Sequence, residues 1–472
     1  MTTKNTGAIL YDYTRMMADA VGARHGVSAA ELGKFEKSAA AAARGVTRKH
    51  EAGALPFMDL PKKIKAAKDI AAYADRLKKY ENFVVLGIGG SSLGAIALQT
   101  ALNPAHYNLM PAKARAGRPR LFVEDNVDPD RIANLLEVID PRKTMFNVIS
   151  KSGGTAETMG GFMVARDLVA RRVGVKNLKN HFVATTDKSQ GHLRKIVDAE
   201  GWDSFIVPDG VGGRFSVLTP VGLVPAAAVG IDILSLLRGA AAVALRCAGE
   251  SLGGNPALLA AALQFLACTR KGKSINVMMP YAQRLRDIAD WYRQLWAESL
   301  GKERDLAGKI VNAGQTPVKA LGATDQHSQV QLYNEGPNDK TLTLMRVNSF
   351  DQKVPIAPSY KDIGAIAYLG GRTMEELINA ECRATEKALT DHNRPNSCFV
   401  FPQVNAHTVG QILFLLEMQT AYAGEMWNVN TYDQPGVEAG KIATYALMGR
   451  PGFEKQAEEI KRAESKLKPL VI

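Results

Sequence analysis

Residues 82–94 read Asn-Phe-Val-Val-Leu-Gly-Ile-Gly-Gly-Ser-Ser-Leu-Gly, and residues 144–158 read Thr-Met-Phe-Asn-Val-Ile-Ser-Lys-Ser-Gly-Gly-Thr-Ala-Glu-Thr. Each is an apolar, strand-like run that ends in glycines and hydroxyls and passes into a helical pattern. A parallel α/β sheet presents a phosphate site in this way. The glycines let backbone N–H groups close on an oxyanion, and the next helix adds the positive end of its dipole. Ser91, Ser92, Ser150, Ser152, Thr155 and Thr158 supply further donors without fixed charge. One such loop is equally a βα turn in which glycine eases packing. Two with hydroxyls, at neighbouring strand ends, point to one site for one phosphate.

Near misses narrow the ligand. Gly87 and Gly89 would open a dinucleotide fingerprint, but Ser92 stands where its third glycine belongs. Lys151 lacks the glycine ladder of a P-loop, and there is no Gly-x-Ser-x-Gly nucleophile elbow. A small phosphorylated metabolite fits better than a nucleotide.

The chain has 472 residues, enough for two or three domains with full cores, and its 46% apolar and 22% charged content is that of a soluble globular protein. A net charge of +12 is mild over this length and suits anionic ligands. No block of like charges reads as a nucleic-acid arm. Cys247, Cys268, Cys382 and Cys398 have no Cys-x-x-Cys spacing and predict no disulfide framework. The N-terminus lacks a signal-peptide design, and Pro220, Pro225, Asp232 and Arg238 interrupt the most apolar stretch, so neither secretion nor a membrane span is expected. A cytoplasmic location is the expectation.

Residues 8–45 are alanine-rich with helical periodicity and predict a leading helical arm. Apolar runs near residues 82, 121, 145, 182 and 205 alternate with helical segments, the pattern of a doubly wound parallel sheet. Gly210–Leu236 breaks the rhythm and reads as a crossover. A second α/β unit starts near Asn255, with strand-like runs at Ser274–Met279, Leu342–Val347 and Cys398–Phe401, followed by a helix, a polar loop and a C-terminal helix. The rhythm suggests a duplication.

Four further places combine charge with glycine or aromatic neighbours. In Gly212-Gly213-Arg214, nothing bulky blocks the guanidinium, which serves either a buried anion or a structural carboxylate pair. Glu298 closes an aromatic-rich helix, where apolar rings would disfavour its charged form and make it a working base; otherwise it is a cap or an ion-pair partner. His327, among polar residues after Gly322, is a proton shuttle oriented by Asp325 or another acceptor, or a structural histidine. Lys441, near a turn, donates a proton to a substrate oxygen or is a surface lysine. No His/Cys/Asp cluster has metal spacing. A base, a cation and a phosphate cradle without metal or nucleotide point to proton transfer next to a carbonyl, and so to isomerisation of a phosphosugar.

Six segments in order, Gly87–Gly94, Ser150–Thr158, Gly212–Leu218, Gln294–Lys302, Gly322–Gln329 and Asp433–Lys441, resemble the glucose-6-phosphate isomerase family over most of the chain. Ser92 and the Gly-Ala-Thr-Asp-Gln-His string are similar to its bacterial branch. The resemblance implies two tandem sugar-isomerase α/β domains, each with a five-stranded sheet, in a homodimer that needs no cofactor. It divides the chain into a helical arm (1–55), two domains (56–235 and 236–425) and a C-terminal tail (426–472). Carried over by position, Gly90, Ser91, Ser150, Lys151, Ser152 and Thr155 would bind the phosphate, and Gln434 would contact the substrate. Glu298 would move the proton between C2 and C1 through a cis-enediol(ate), and Arg214 would stabilise the developing charge. Lys441 and the neighbouring subunit's His327 would open the pyranose ring. Gly154 departs from many relatives, which carry a hydroxyl there. Two other readings stay open: a non-catalytic sugar-phosphate-binding regulator, and an isomerase acting on mannose 6-phosphate or on both sugars.

Overall fold

The computed structural model describes residues 7–472. By internal contacts the chain divides into a large unit ending at Thr431 and a small one from Tyr432 to Ile472.

In the large unit the strands are β1 (Leu10–Asp12), β2 (Asn82–Leu86), β3 (Arg120–Glu124), β4 (Thr144–Ile149), β5 (Phe182–Thr186) and β6 (Asp203–Ile206). They continue with β7 (Ile275–Pro280), β8 (Lys302–Arg304), β9 (Ile310–Ala313), β10 (Thr316–Lys319), β11 (Lys340–Ser349) and β12 (Asn396–Gln403). The first sheet is parallel, in the order β3-β2-β4-β5-β6. Its strands β2, β4 and β5 are buried at every residue, as central strands covered on both faces must be. One face packs Phe146, Phe162, Phe182 and Trp202 into a shared core, with the Phe182 and Trp202 rings stacked 4.9 Å apart.

The second sheet runs β1-β12-β11-β7-β10. In the first sheet β2 lies between β3 and β4, and in the second β7 lies between β10 and β11, all of them parallel, so the order of winding reverses at β2 and at β7. In the second sheet the fifth place is filled by β1 from the chain's beginning, antiparallel to β12. This corrects the all-helical reading of residues 8–45: helix forms over Ala29–Glu51, behind a capping box of Ser28 and Glu31, but Leu10–Asp12 is a strand. Among the described strands, only β8 and β9 lie outside the two sheets, as an antiparallel pair.

Helices Leu93–Leu102, Pro220–Ala228, Arg286–Leu300 and Ala406–Trp427 pack together within this unit. Helix Ala406–Trp427 is buried from Thr408 to Gly424, which explains its lack of a polar face. The Gly210–Leu236 stretch read as a crossover contains the buried helix Pro220–Ala228. The small unit holds helices Glu438–Leu447 and Glu454–Glu464. Among the described residues no helix is long and apolar enough to cross a membrane.

Candidate active site

Strands β2 and β4 are hydrogen-bonded neighbours with Leu86 opposite Val148, so the loops that follow them emerge side by side where the sheet's winding reverses. Open α/β sheets bind ligands at such a point. The first loop makes one 3-10 turn, Gly89–Ser91, before helix Leu93–Leu102. The second runs from Ser150 to Thr155 before helix Ala156–Val173. Neither helix has a side-chain cap, so their leading N–H groups face the loops without one.

Within the second loop, the Ser150 hydroxyl accepts from the Gly153 N–H at 3.0 Å and lies 3.3 Å from the Thr155 hydroxyl. The Ser152 hydroxyl accepts from the Gly154 N–H at 3.2 Å. Lys151 extends its ammonium to the Pro208 carbonyl at 3.5 Å and the Asp209 carboxylate at 3.8 Å. The Ser150, Ser152 and Thr155 hydroxyls and the Gly153 and Gly154 N–H groups thus lie together in this second loop.

The first loop also touches the arginine segment. A Cβ on Gly90 would lie 2.2 Å from the Gly213 carbonyl carbon and 2.8 Å from the Arg214 nitrogen, so this approach requires glycine. Arg214 is 2% exposed. Its Nε donates to the Ser299 hydroxyl at 2.8 Å, and one Nη donates to the Thr431 carbonyl at 2.5 Å. Its other Nη stands 3.2 Å from Glu298 Oε1. Of the two roles left open for Arg214, the carboxylate pair is formed here, and its partner is the candidate base.

Glu298 corrects one expectation. The aromatic rings of its helix pack among themselves and on Trp427, with Tyr292 to Trp296 at 5.5 Å and Trp296 to Trp427 at 6.1 Å. What meets the carboxylate is the Arg214 guanidinium and the Gln294 amide, whose Nε2 donates to Oε2 at 3.0 Å. The Glu298 side chain remains 26% exposed, so substrate can reach it. Gln294, not singled out from sequence as a site residue, also stands 3.0 Å from the Cβ position of Gly89 and so joins the first loop to the carboxylate. The available signal was its place one helical turn before Glu298.

His327, itself exposed, ends the 3-10 turn Thr324–His327, and among the described residues no hydrogen bond or ion pair joins it to this cluster. Asp325 does not orient it: that carboxylate accepts from the Leu321 N–H at 2.7 Å and the Ser328 hydroxyl at 2.6 Å. Partial burial pushes the Asp325 carboxyl up, but the bonds from Ser328 and Leu321 outweigh it and hold it below the usual range. Lys441 and Gln434 belong to the small unit. There Lys441 pairs with Glu438 at 2.7 Å, and Gln434 leads into the turn Pro435–Val437.

The chain is similar to known proteins in sequence and fold. A family model described as phosphoglucose isomerase matches residues 59–464. Over 433 residues the chain is 48% identical to the glucose-6-phosphate isomerase of Carboxydothermus hydrogenoformans, covering 91% of this chain and 93% of that protein. Among solved structures, a hypothetical protein of Thermus thermophilus superposes with a TM-score of 0.83 at 36% identity, over 93% of this chain and all of that one. A glucose-6-phosphate isomerase from Chlamydia trachomatis shares the fold with a TM-score of 0.74 at 24% identity, over 86% of this chain and 77% of that one.

Proposed function

The chain belongs to the phosphoglucose isomerase family, and from that premise we propose how its residues interconvert glucose 6-phosphate and fructose 6-phosphate. The phosphate is anchored by Gly90, Ser91, Ser150, Lys151, Ser152 and Thr155, through backbone N–H groups, hydroxyls and one ammonium. Anchoring one end of the sugar turns the proton transfers at the other into steps within a bound complex. Lys441 and the neighbouring subunit's His327 serve ring opening, and Gln434 contacts the open chain. Glu298 then takes the proton from C2 of the aldose and returns it to C1, through a cis-enediol(ate). Arg214 compensates the charge that grows on the intermediate's oxygen; a fixed donor of this kind is worth about 3–4 kcal/mol in comparable oxyanion sites.

The observation that carries this reading is the 3.2 Å contact of the buried Arg214 with Glu298, on a segment pressed against the first phosphate loop. A regulator that only senses sugar phosphate has use for the cradle but not for a base beside a buried cation. The isomerase reading is accordingly favoured. A homodimer, with His327 crossing between subunits, and a cytoplasmic location complete the proposal.

Fructose 6-phosphate supplied with glucose-6-phosphate dehydrogenase, NADP and EDTA tests it. NADPH formation is expected to survive the chelator and to fall by about 10²–10⁴-fold in Glu298→Gln, the scale of a lost general base. A silent wild type whose melting temperature still rises with fructose 6-phosphate would restore the regulator.

A further inference from the structure

Strand β5 lies beside β4, and the segment that follows it is clasped to the second phosphate loop. Asp187 Oδ1 accepts from the N–H groups of Ser189 at 3.0 Å and Gln190 at 2.9 Å, turning the chain into helix His192–Glu200. The Thr186 hydroxyl donates to the Ser150 carbonyl at 2.8 Å, and the His192 N–H donates to the Ser152 carbonyl at 2.9 Å. The two backbones meet through glycine on either side: a Cβ on Gly153 would come within 2.0 Å of the Leu193 nitrogen, and one on Gly191 within 2.5 Å of the Ser152 oxygen. The start of this helix is therefore pinned to the phosphate loop by main-chain contacts.

That anchoring brings His192 beside the loop. The atom nearest to the Cβ position of Gly154 is His192 Cδ2, at 3.7 Å, ahead of the Ser152 hydroxyl at 3.8 Å. The ring is exposed, so it is not a core histidine filling space. Gly154 has no side chain to offer a ligand, and the imidazole occupies the flank of the cradle that such a side chain would face. We infer that His192 is a further phosphate-binding residue, donating a ring N–H to a phosphate oxygen of the sugar phosphate on the side left open by Gly154. The inference rests on the phosphate-cradle reading above and adds to it a residue from a third strand end.

The test measures kcat and KM for fructose 6-phosphate, and separately the binding of inorganic phosphate by calorimetry, in the wild type, His192→Ala, His192→Gln and His192→Ala/Gly154→Ser. Because His192 is exposed, the variants should fold, and melting temperatures check this. In His192→Ala, KM is expected to rise about tenfold, within the scale of one hydrogen bond to a charged group, with kcat within about threefold of wild type. Phosphate binding should weaken in parallel. His192→Gln retains an N–H donor and should recover part of the loss, and a hydroxyl at position 154 should do the same in the double variant. An unchanged KM and unchanged phosphate binding in His192→Ala, with an active wild type, overturn the inference and leave the isomerase standing. A loss confined to kcat overturns it as well. An inactive wild type whose phosphate binding still depends on His192 would instead remove the isomerase and keep the phosphate contact.

Discussion

Arg214 has among its partners the Ser299 hydroxyl, the Thr431 carbonyl and the Glu298 carboxylate. A guanidinium tied at this many points keeps its position while charge develops nearby, which separates a preorganised cation from a flexible one. Its segment in turn leans on Gly90, where a single methyl would overlap the Gly213 carbonyl. Gly90→Ala is therefore expected to move the first phosphate loop away from Arg214 and to lower kcat/KM about a hundredfold, as misplacements near 1 Å do. Wild-type kinetics in that variant would mean that the two segments are not coupled. At this scale Glu298 and Arg214 stand out in the sequence because glycines or aromatic residues flank them, and the structure brings the two into contact. Gln294 was not, since a glutamine on a helix is ordinary until its amide is seen on the Glu298 carboxylate.

Helix Ala406–Trp427 shows what an element can hide. It is buried from Thr408 to Gly424 and yet contains Glu417, 0% exposed, with neither carboxylate oxygen hydrogen-bonded. Burial pushes this carboxyl well above the usual range. In the unfolded chain the group titrates near its ordinary value, about 4.3. Below that pH both states hold the proton and nothing is lost. As pH rises, the unfolded chain releases its proton while the folded one keeps it, so Glu417 lowers stability progressively, by roughly 1.4 kcal/mol per pH unit until the folded group also ionises. Glu417→Gln keeps the shape and removes the titration. Its melting temperature should gain on wild type as pH goes from about 4 to about 8, and a difference that stays constant with pH would refute the assignment. Strand detection failed where elements are short: β1 has three residues, and β10 has four, one of them Pro317. Neither is long enough to display an alternation.

For the molecule as a whole, the decisive prediction concerns His327. If it serves the neighbouring subunit, Glu298→Gln and His327→Ala are each inactive alone, but mixed and reassembled dimers contain one site with both native residues. Activity should reappear on co-refolding or exchange, and persistent inactivity in verified heterodimers would place His327 in its own subunit's site or in none. The strand–helix alternation determined the α/β class and the doubly wound parallel sheets, because periodicity and glycine-bearing strand ends are local properties of a chain. The loop from Ser150 to Thr155 is equally local, closing on itself through the Ser150–Gly153 and Ser152–Gly154 contacts. The tertiary structure alone decided that β1 completes the second sheet and that Gly90 abuts Arg214. It also decided that Glu298 faces a guanidinium and an amide where apolar rings were expected. Apart from the Gln294–Glu298 pair, which lies one turn apart on a single helix, each of these joins residues that no local pattern brings together, and burial and close approach between such residues come from packing.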